Sequence, residues 1–275
     1  MAMRAEAAAA AALWDEIIGL AAGLDDADWA RPTPCPRWSV QDVLAHMSGL
    51  QTQFDGSAPQ PSPPDGWTPP AELGPLDVWT EAGVVARRGW SPAQVREELG
   101  LAREGNIATL EAADPEAETV GPRGPTTMRA LYGVRMFDLW THVQDIAIAT
   151  GRPLDTAGSS AAARDGGRYL FGAVPVLAAK RAGLAEGKRL RIVLTGDEGF
   201  DGVLTMADGR ARWSDDPPHD SPENEPDGEV RAAPGVFTLL LAGRRSPEDW
   251  RADGVLDWSG DLGAAFVARA RVFAG

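Results

Sequence analysis

The chain has 275 residues, of which 44% are hydrophobic and 24% charged, an ordinary balance for a folded, water-soluble protein. A formal net charge of −14 argues against nucleic acid and against anionic membrane surfaces as partners, and no apolar run approaches the ~20 residues of a membrane span. The single cysteine, Cys35, excludes an internal disulfide and any multi-cysteine metal site, and the length suits two domains of about 100–150 residues each.

The first predicted element is an Ala-rich helix from about Arg4 to Leu24, with Leu13, Ile17, Leu20 and Leu24 on the 3.6-residue period. Trp14, Asp15 and Glu16 follow the alanine run directly, so it reads as the opening helix of a cytoplasmic protein and not as a secretion signal. A connection rich in Asp and Pro spans Asp25 to Arg37. Ser39 then caps a helix to Gln53, with Asp42 placed to favour its dipole, and this helix carries His46 on the stripe of Val43 and Leu50. Asp55 to Pro75 is a Pro-rich loop, a length usually tied to function or mobility; its Trp67 either folds over a site or packs outside. Helical patterns resume from Glu72 to Arg88 and from Ser91 to Ala112, the second opened by a Ser-Pro cap signal. Thr126 or Thr127 caps a long helix to Thr150, which Gly151 and Pro153 end.

Beyond Gly151 the pattern changes. A helix is expected over Ser159–Ala182, then strands over Arg189–Thr195, Phe200–Met206 and Arg210–Trp213, with a turn at Gly196–Gly199 and a hairpin turn at Asp208-Gly209. Asp215 to Asp227 reads as a solvated acidic loop, and its His219 has no helical neighbour to complete a chelate. A strand at Glu229–Ala232, a helix at Pro234–Gly243, a strand at Gly254–Trp258 and a helix at Asp261–Phe273 close the chain. The expected architecture is thus a helical domain over residues 1–153 and a small α/β domain over 154–275.

The long helix places Asp138 and His142 four residues apart, on one face, with Asp145 three residues further on. One divalent ion could take both, and His46 on a facing helix would complete a His/Asp/His set. Three protein ligands leave a coordination position open, as in catalytic sites. Asp145 would hold the imidazole N–H that the metal does not use. The same spacing also fits an ordinary packed histidine hydrogen-bonded to a carboxylate. Cys35, between two prolines and with no basic neighbour in sequence, reads as a partly buried bystander.

The runs Pro34-Cys35-Pro36-Arg37-Trp38-Ser39-Val40-Gln41-Asp42-Val43-Leu44-Ala45-His46 and Asp138-Leu139-Trp140-Thr141-His142-Val143-Gln144-Asp145-Ile146, with Leu241-Ala242-Gly243-Arg244 and Gly260-Asp261 later, resemble the mycothiol-dependent maleylpyruvate isomerase family. The resemblance implies a DinB-like four-helix bundle followed by a small C-terminal α/β domain. It implies a divalent metal, zinc in the family, on His46, Asp138 and His142, with Asp138 standing where the family has Glu. It also implies mycothiol as cosubstrate, a metal-bound thiolate that attacks an electrophilic small molecule, and either cis–trans isomerisation of maleylpyruvate type or thiol transfer. Arg244 is the catalytic position it suggests, holding a substrate carboxylate, with Arg135 as a similar candidate that could instead pair with Asp138. The competing reading is a non-catalytic metal- or ligand-binding accessory protein of the same fold.

Overall fold

The computed structural model describes residues 2–121, 124–196, 199–214 and 225–272. The chain divides into two compact units, residues 1–154 and 155–275. His219, the interior of the 196–199 turn and Phe273 lie outside the described residues.

The first unit opens with α1 (Arg4–Ala22), followed by the short α2 (Asp26–Trp29) inside the stretch read as a plain connection. Asp25 caps α2 by accepting from the Asp28 amide, a local signal that a four-residue helix is too short to announce by periodicity. Next come α3 (Val40–Asp55), α4 (Pro75–Val85) and α5 (Pro92–Ala112). A hairpin of β1 (Glu118–Gly121) and β2 (Gly124–Thr127) leads into α6 (Met128–Thr150). Its strands have four residues each, too short for an alternating pattern to announce them in the sequence.

Capping chemistry fixes where the long helices begin. Ser39 and Asp42 form a capping box at α3, and Ser91 and Gln94 form one at α5, with Pro92 in its first turn. Thr127, one of the two expected residues, caps α6, and Gly151 in the left-handed conformation (φ 68°) ends it. Helices α1 and α3 each pack against both α5 and α6, and α4 packs on α3. Most of α6 is therefore inside, and Arg135, Thr141, His142, Gln144 and Asp145 are buried with it. Polar groups in that position need partners, which makes α6 the place to look for a site.

Two buried charges tie α3 to its neighbours. Arg87, just after α4, pairs with Glu98 of α5 at 2.7 Å, and Ser48 of α3 donates to the same carboxylate at 2.7 Å. The Arg87 guanidinium lies flat against Gly49, where a β-carbon would come within 2.6 Å of its Cζ.

The second unit begins with α7 (Ala161–Phe171), α8 (Val174–Leu177) and a π-helical turn, Ala178–Ala182. The single helix expected over 159–182 is thus interrupted. Pro175 has no N–H to offer the Phe171 carbonyl, so an uninterrupted helix cannot form across it. Strands β3 (Arg189–Leu194), β4 (Phe200–Ala207), β5 (Arg210–Trp213) and β6 (Gly228–Ala232) follow, then α9 (Pro234–Leu241), α10 (Pro247–Ala252), β7 (Leu256–Ser259) and α11 (Gly260–Arg269). The sheet order is β5-β4-β3-β6-β7, with β3 and β6 parallel (Ile192 opposite Val230) and the other pairs antiparallel. Asp208 and Gly209, with φ of 53° and 69°, make the tight β4–β5 turn. Helix α10 was not foreseen, although Ser246-Pro247 repeats the cap signal of Ser91-Pro92 and Ser246 accepts from the Asp249 amide. The ring of Phe171 stacks on Trp213 at 4.8 Å and meets Phe200 edge-on at 4.7 Å.

No helix among the described residues is long and apolar enough to cross a membrane.

Candidate metal centre

Arg135, Asp138, His142 and Asp145 follow one another along α6 at intervals of three, four and three residues, which puts all four on one stripe. His46 comes from α3, whose start is set by the Ser39 box. The structure brings His46, Asp138 and His142 together: Asp138 Oδ2 lies 3.4 Å from His46 Nε2, and Asp138 Oδ1 lies 3.5 Å from His142 Nε2. The three donor atoms all fall within 4.8 Å of one another. The imidazoles meet edge to face with centroids 4.9 Å apart. Both histidines are buried, whereas Asp138 keeps 19% of its side chain exposed, so the cluster can be approached from the carboxylate side.

The surrounding groups orient these donors. His142 Nδ1 and Asp145 Oδ2 are 2.9 Å apart. Asp145 is fully buried, and as a carboxylate it fixes a proton on Nδ1, which turns Nε2 toward Asp138 and His46. Arg135 Nη1 donates to Asp138 Oδ2 at 2.5 Å, its Nε donates to Gln51 and its Nη2 to the Met47 carbonyl. Arg135 is thus paired with the carboxylate, one of the two roles open to it from the sequence. Trp38 covers the histidines, its ring 4.9 Å from that of His46 and 6.1 Å from that of His142, while its indole N–H donates to Glu81 at 2.7 Å.

Cys35 is buried beside this stripe. Its Sγ donates to Asp145 Oδ2 at 3.2 Å and lies 3.9 Å from His142 Nδ1. Sequence spacing could not show this, because 107 residues separate Cys35 from His142. The clue lay in the run Pro34-Cys35-Pro36, which holds a fixed turn just ahead of a helix with an inward-facing histidine.

Burial and charge act in opposition here. Burial pushes the Asp138 carboxyl up, but the adjacent His46 and His142 outweigh it and hold the acid well below its usual range. For His142, burial favours the neutral ring, yet Asp138, then the hydrogen bonds of Asp145 and Cys35, raise its pKa well above the ordinary imidazole value. His46 is lowered, burial being the chief cause. Arg135 is also lowered by burial, against the pull of Asp138 and Asp55. Two imidazoles and a carboxylate with donors turned inward form a set suited to a borderline cation.

Beside Arg135 lies a cavity of about 140 Å³ walled by Gln51, Phe54, Asn106, Leu110 and Tyr132 among others. Arg244 belongs to the second unit, on the turn after α9. Its neighbours Gly243 and Arg245 both have positive φ, 78° and 57°, and its Nη1 donates to the Ala242 carbonyl at 2.8 Å.

Comparison with known proteins gives three results. The family described as the mycothiol maleylpyruvate isomerase N-terminal domain matches residues 10–147, about half of the chain. Uncharacterized proteins from two strains of Mycobacterium tuberculosis, CDC 1551 / Oshkosh and ATCC 25618 / H37Rv, are each 30% identical over 124 residues, 45% of this chain. The match spans only 56% of the length of those relatives. Among solved structures, a mycothiol-dependent maleylpyruvate isomerase and its histidine-to-alanine variant each superpose with a TM-score of 0.58 at 13% identity, covering 94% of this chain and 93% of theirs. At that identity the likeness is one of fold.

Proposed function

The chain belongs to the mycothiol maleylpyruvate isomerase N-terminal domain family, and on that premise we propose that it is a metal- and mycothiol-dependent enzyme acting on an electrophilic small molecule. The helical unit serves as a DinB-like four-helix bundle whose α3 and α6 hold the cation. One observation carries this reading: Asp138 sits 3.4 Å and 3.5 Å from the two histidine nitrogens. Donors around a tetrahedral zinc with bonds of about 2.0–2.1 Å are about 3.3 Å apart; each histidine meets one Asp138 oxygen at nearly that spacing, and the three donors fall within 4.8 Å of one another, a set that suits such an ion. His46, Asp138 and His142 would hold it and leave one position open.

A divalent cation there lowers the pKa of an added thiol, so that the thiol is presented as a thiolate near neutral pH. The chain's own residues do the remaining work. Asp145 keeps the proton of His142 on Nδ1, Arg135 holds Asp138 in place, and Trp38 shields the imidazoles from water. The family resemblance alone offers Arg244 for a substrate carboxylate, to which a planar guanidinium fork is suited. A thiolate that adds to a conjugated double bond leaves a single bond free to rotate. Addition moves the electron pair onto the conjugated carbonyl; its return expels the thiolate and restores the double bond in the other geometry, and uptake of a proton from solvent at the carbon instead completes a transfer.

The test is a thiol-dependent absorbance change with unsaturated diacids, combined with metal analysis of the purified protein. Turnover should require both mycothiol and one bound cation, and it should vanish in His46→Ala and His142→Ala. Stoichiometric cation without turnover on any electrophile would favour a binding protein instead.

A further inference from the structure

We infer that Cys35 is a positioning residue for the cation site, acting through Asp145 on His142; the inference rests on the reading that His46, Asp138 and His142 hold a cation. The turn before α3 is built to deliver it. Thr33 and Trp38 are joined by a backbone hydrogen bond of 3.1 Å, the Trp38 amide also donates to the Cys35 carbonyl at 3.1 Å, and Pro32 bridges to Ser39. The Thr33 hydroxyl accepts from the Cys35 amide at 3.2 Å, and Arg37 takes a positive φ of 73° to close the loop. Prolines on both sides of Cys35 restrict the backbone further. The same turn delivers Trp38 to the two imidazole faces, so one short stretch places two side chains against His142.

The thiol completes a chain of donors. The S–H of Cys35 points to Asp145 Oδ2, the oxygen that also faces His142 Nδ1. Asp145 is fully buried, and a buried carboxylate is costly unless donors surround it. With the thiol present, the carboxylate is held at the imidazole edge and the ring is turned so that Nε2 faces the other donors. Without it, Asp145 is left less satisfied and the ring less firmly aimed. Outer partners of this kind typically carry a factor of about 10–100 in metal affinity. Cys35 lies on the Nδ1 side of His142, whose Nε2 faces Asp138, and is not assigned to the nucleophile, which the added thiol supplies.

The experiment measures zinc affinity of the full chain by competition with a chromogenic chelator, in the wild type, Cys35→Ala, Cys35→Val and Cys35→Ser. Valine fills the space of the thiol without a donor, and serine restores one. Affinity should fall about tenfold in both C35A and C35V and return to within about threefold in C35S, while the thermal midpoint of the zinc-free C35V and C35S proteins stays together. Equal affinity in all four would overturn the inference and leave the cation site intact. No zinc uptake by the wild type would overturn both. A cobalt-loaded protein whose spectrum shows a thiolate charge-transfer band that C35S abolishes would also overturn it, since Cys35 would then be a ligand itself.

Discussion

Asp138 accepts from Arg135 one helical turn away, at 2.5 Å, on the same carboxylate oxygen that faces His46. The guanidinium is almost fully buried, so without a cation the two form a largely desolvated ion pair. Removing one partner of such a pair leaves an uncompensated charge. Arg135→Met should therefore destabilise the zinc-free protein by about 3 kcal/mol, with saturating zinc recovering part of the loss. Chemical unfolding with and without zinc checks both statements.

Direct ligands should weigh more than their supports. His46→Ala, Asp138→Ala and His142→Ala are each expected to weaken zinc binding by more than the ~100-fold that outer partners carry. Asp138→Glu, which lengthens the acid by one methylene, should keep binding within about tenfold of the wild type. Chelator competition on the four variants would show the order, and a strong site surviving in the alanine series would refute the assignment.

The pH dependence follows from His142. Its pKa is raised, by Asp138 above all, so the ring carries a proton at Nε2 below that raised value, and a cation must displace it. Zinc affinity should therefore rise with pH through the neutral range, by up to about tenfold per pH unit for one displaced proton, and flatten once His142 is neutral. Titration calorimetry in buffers of different ionisation enthalpy would count that proton. A flat profile between pH 6 and pH 8 would contradict it.

Gly49 tests packing away from the donors. A β-carbon there would come 2.6 Å from Arg87 Cζ, and Arg87 is held by Glu98 and by the Gly83 carbonyl, so it has little room to yield. Gly49→Ala should cost about 1–3 kcal/mol, as overpacking of a filled interior does. His46 lies on the same helix, so a shift of α3 large enough to relieve the clash should also lower zinc affinity.

Much of this was legible beforehand where a local rule dictates the outcome. Ser39, Ser91 and Gly151 announce their helix ends through capping chemistry, and Asp208-Gly209 announces its turn through the positive φ that the turn demands. The spacing of Asp138, His142 and Asp145 gave their shared face, because helical periodicity alone determines it. What escaped depends on long-range packing or on elements too short to show a period. Cys35 meets Asp145 across 110 residues, and α2 has four residues. Helix α10 and the break before Pro175 are the exceptions, since the Ser246-Pro247 start and the proline itself stand in the sequence to be read.

The donors of the candidate centre come from α3 and α6, whose contributing residues lie 92 positions apart in His46 and Asp138. A cation between them would act as a removable staple across that span. Binding to the native state alone adds about 2.7 kcal/mol when the free ion stands at a hundred times its dissociation constant. The supply of that ion would then govern how long each copy of the protein survives proteolysis.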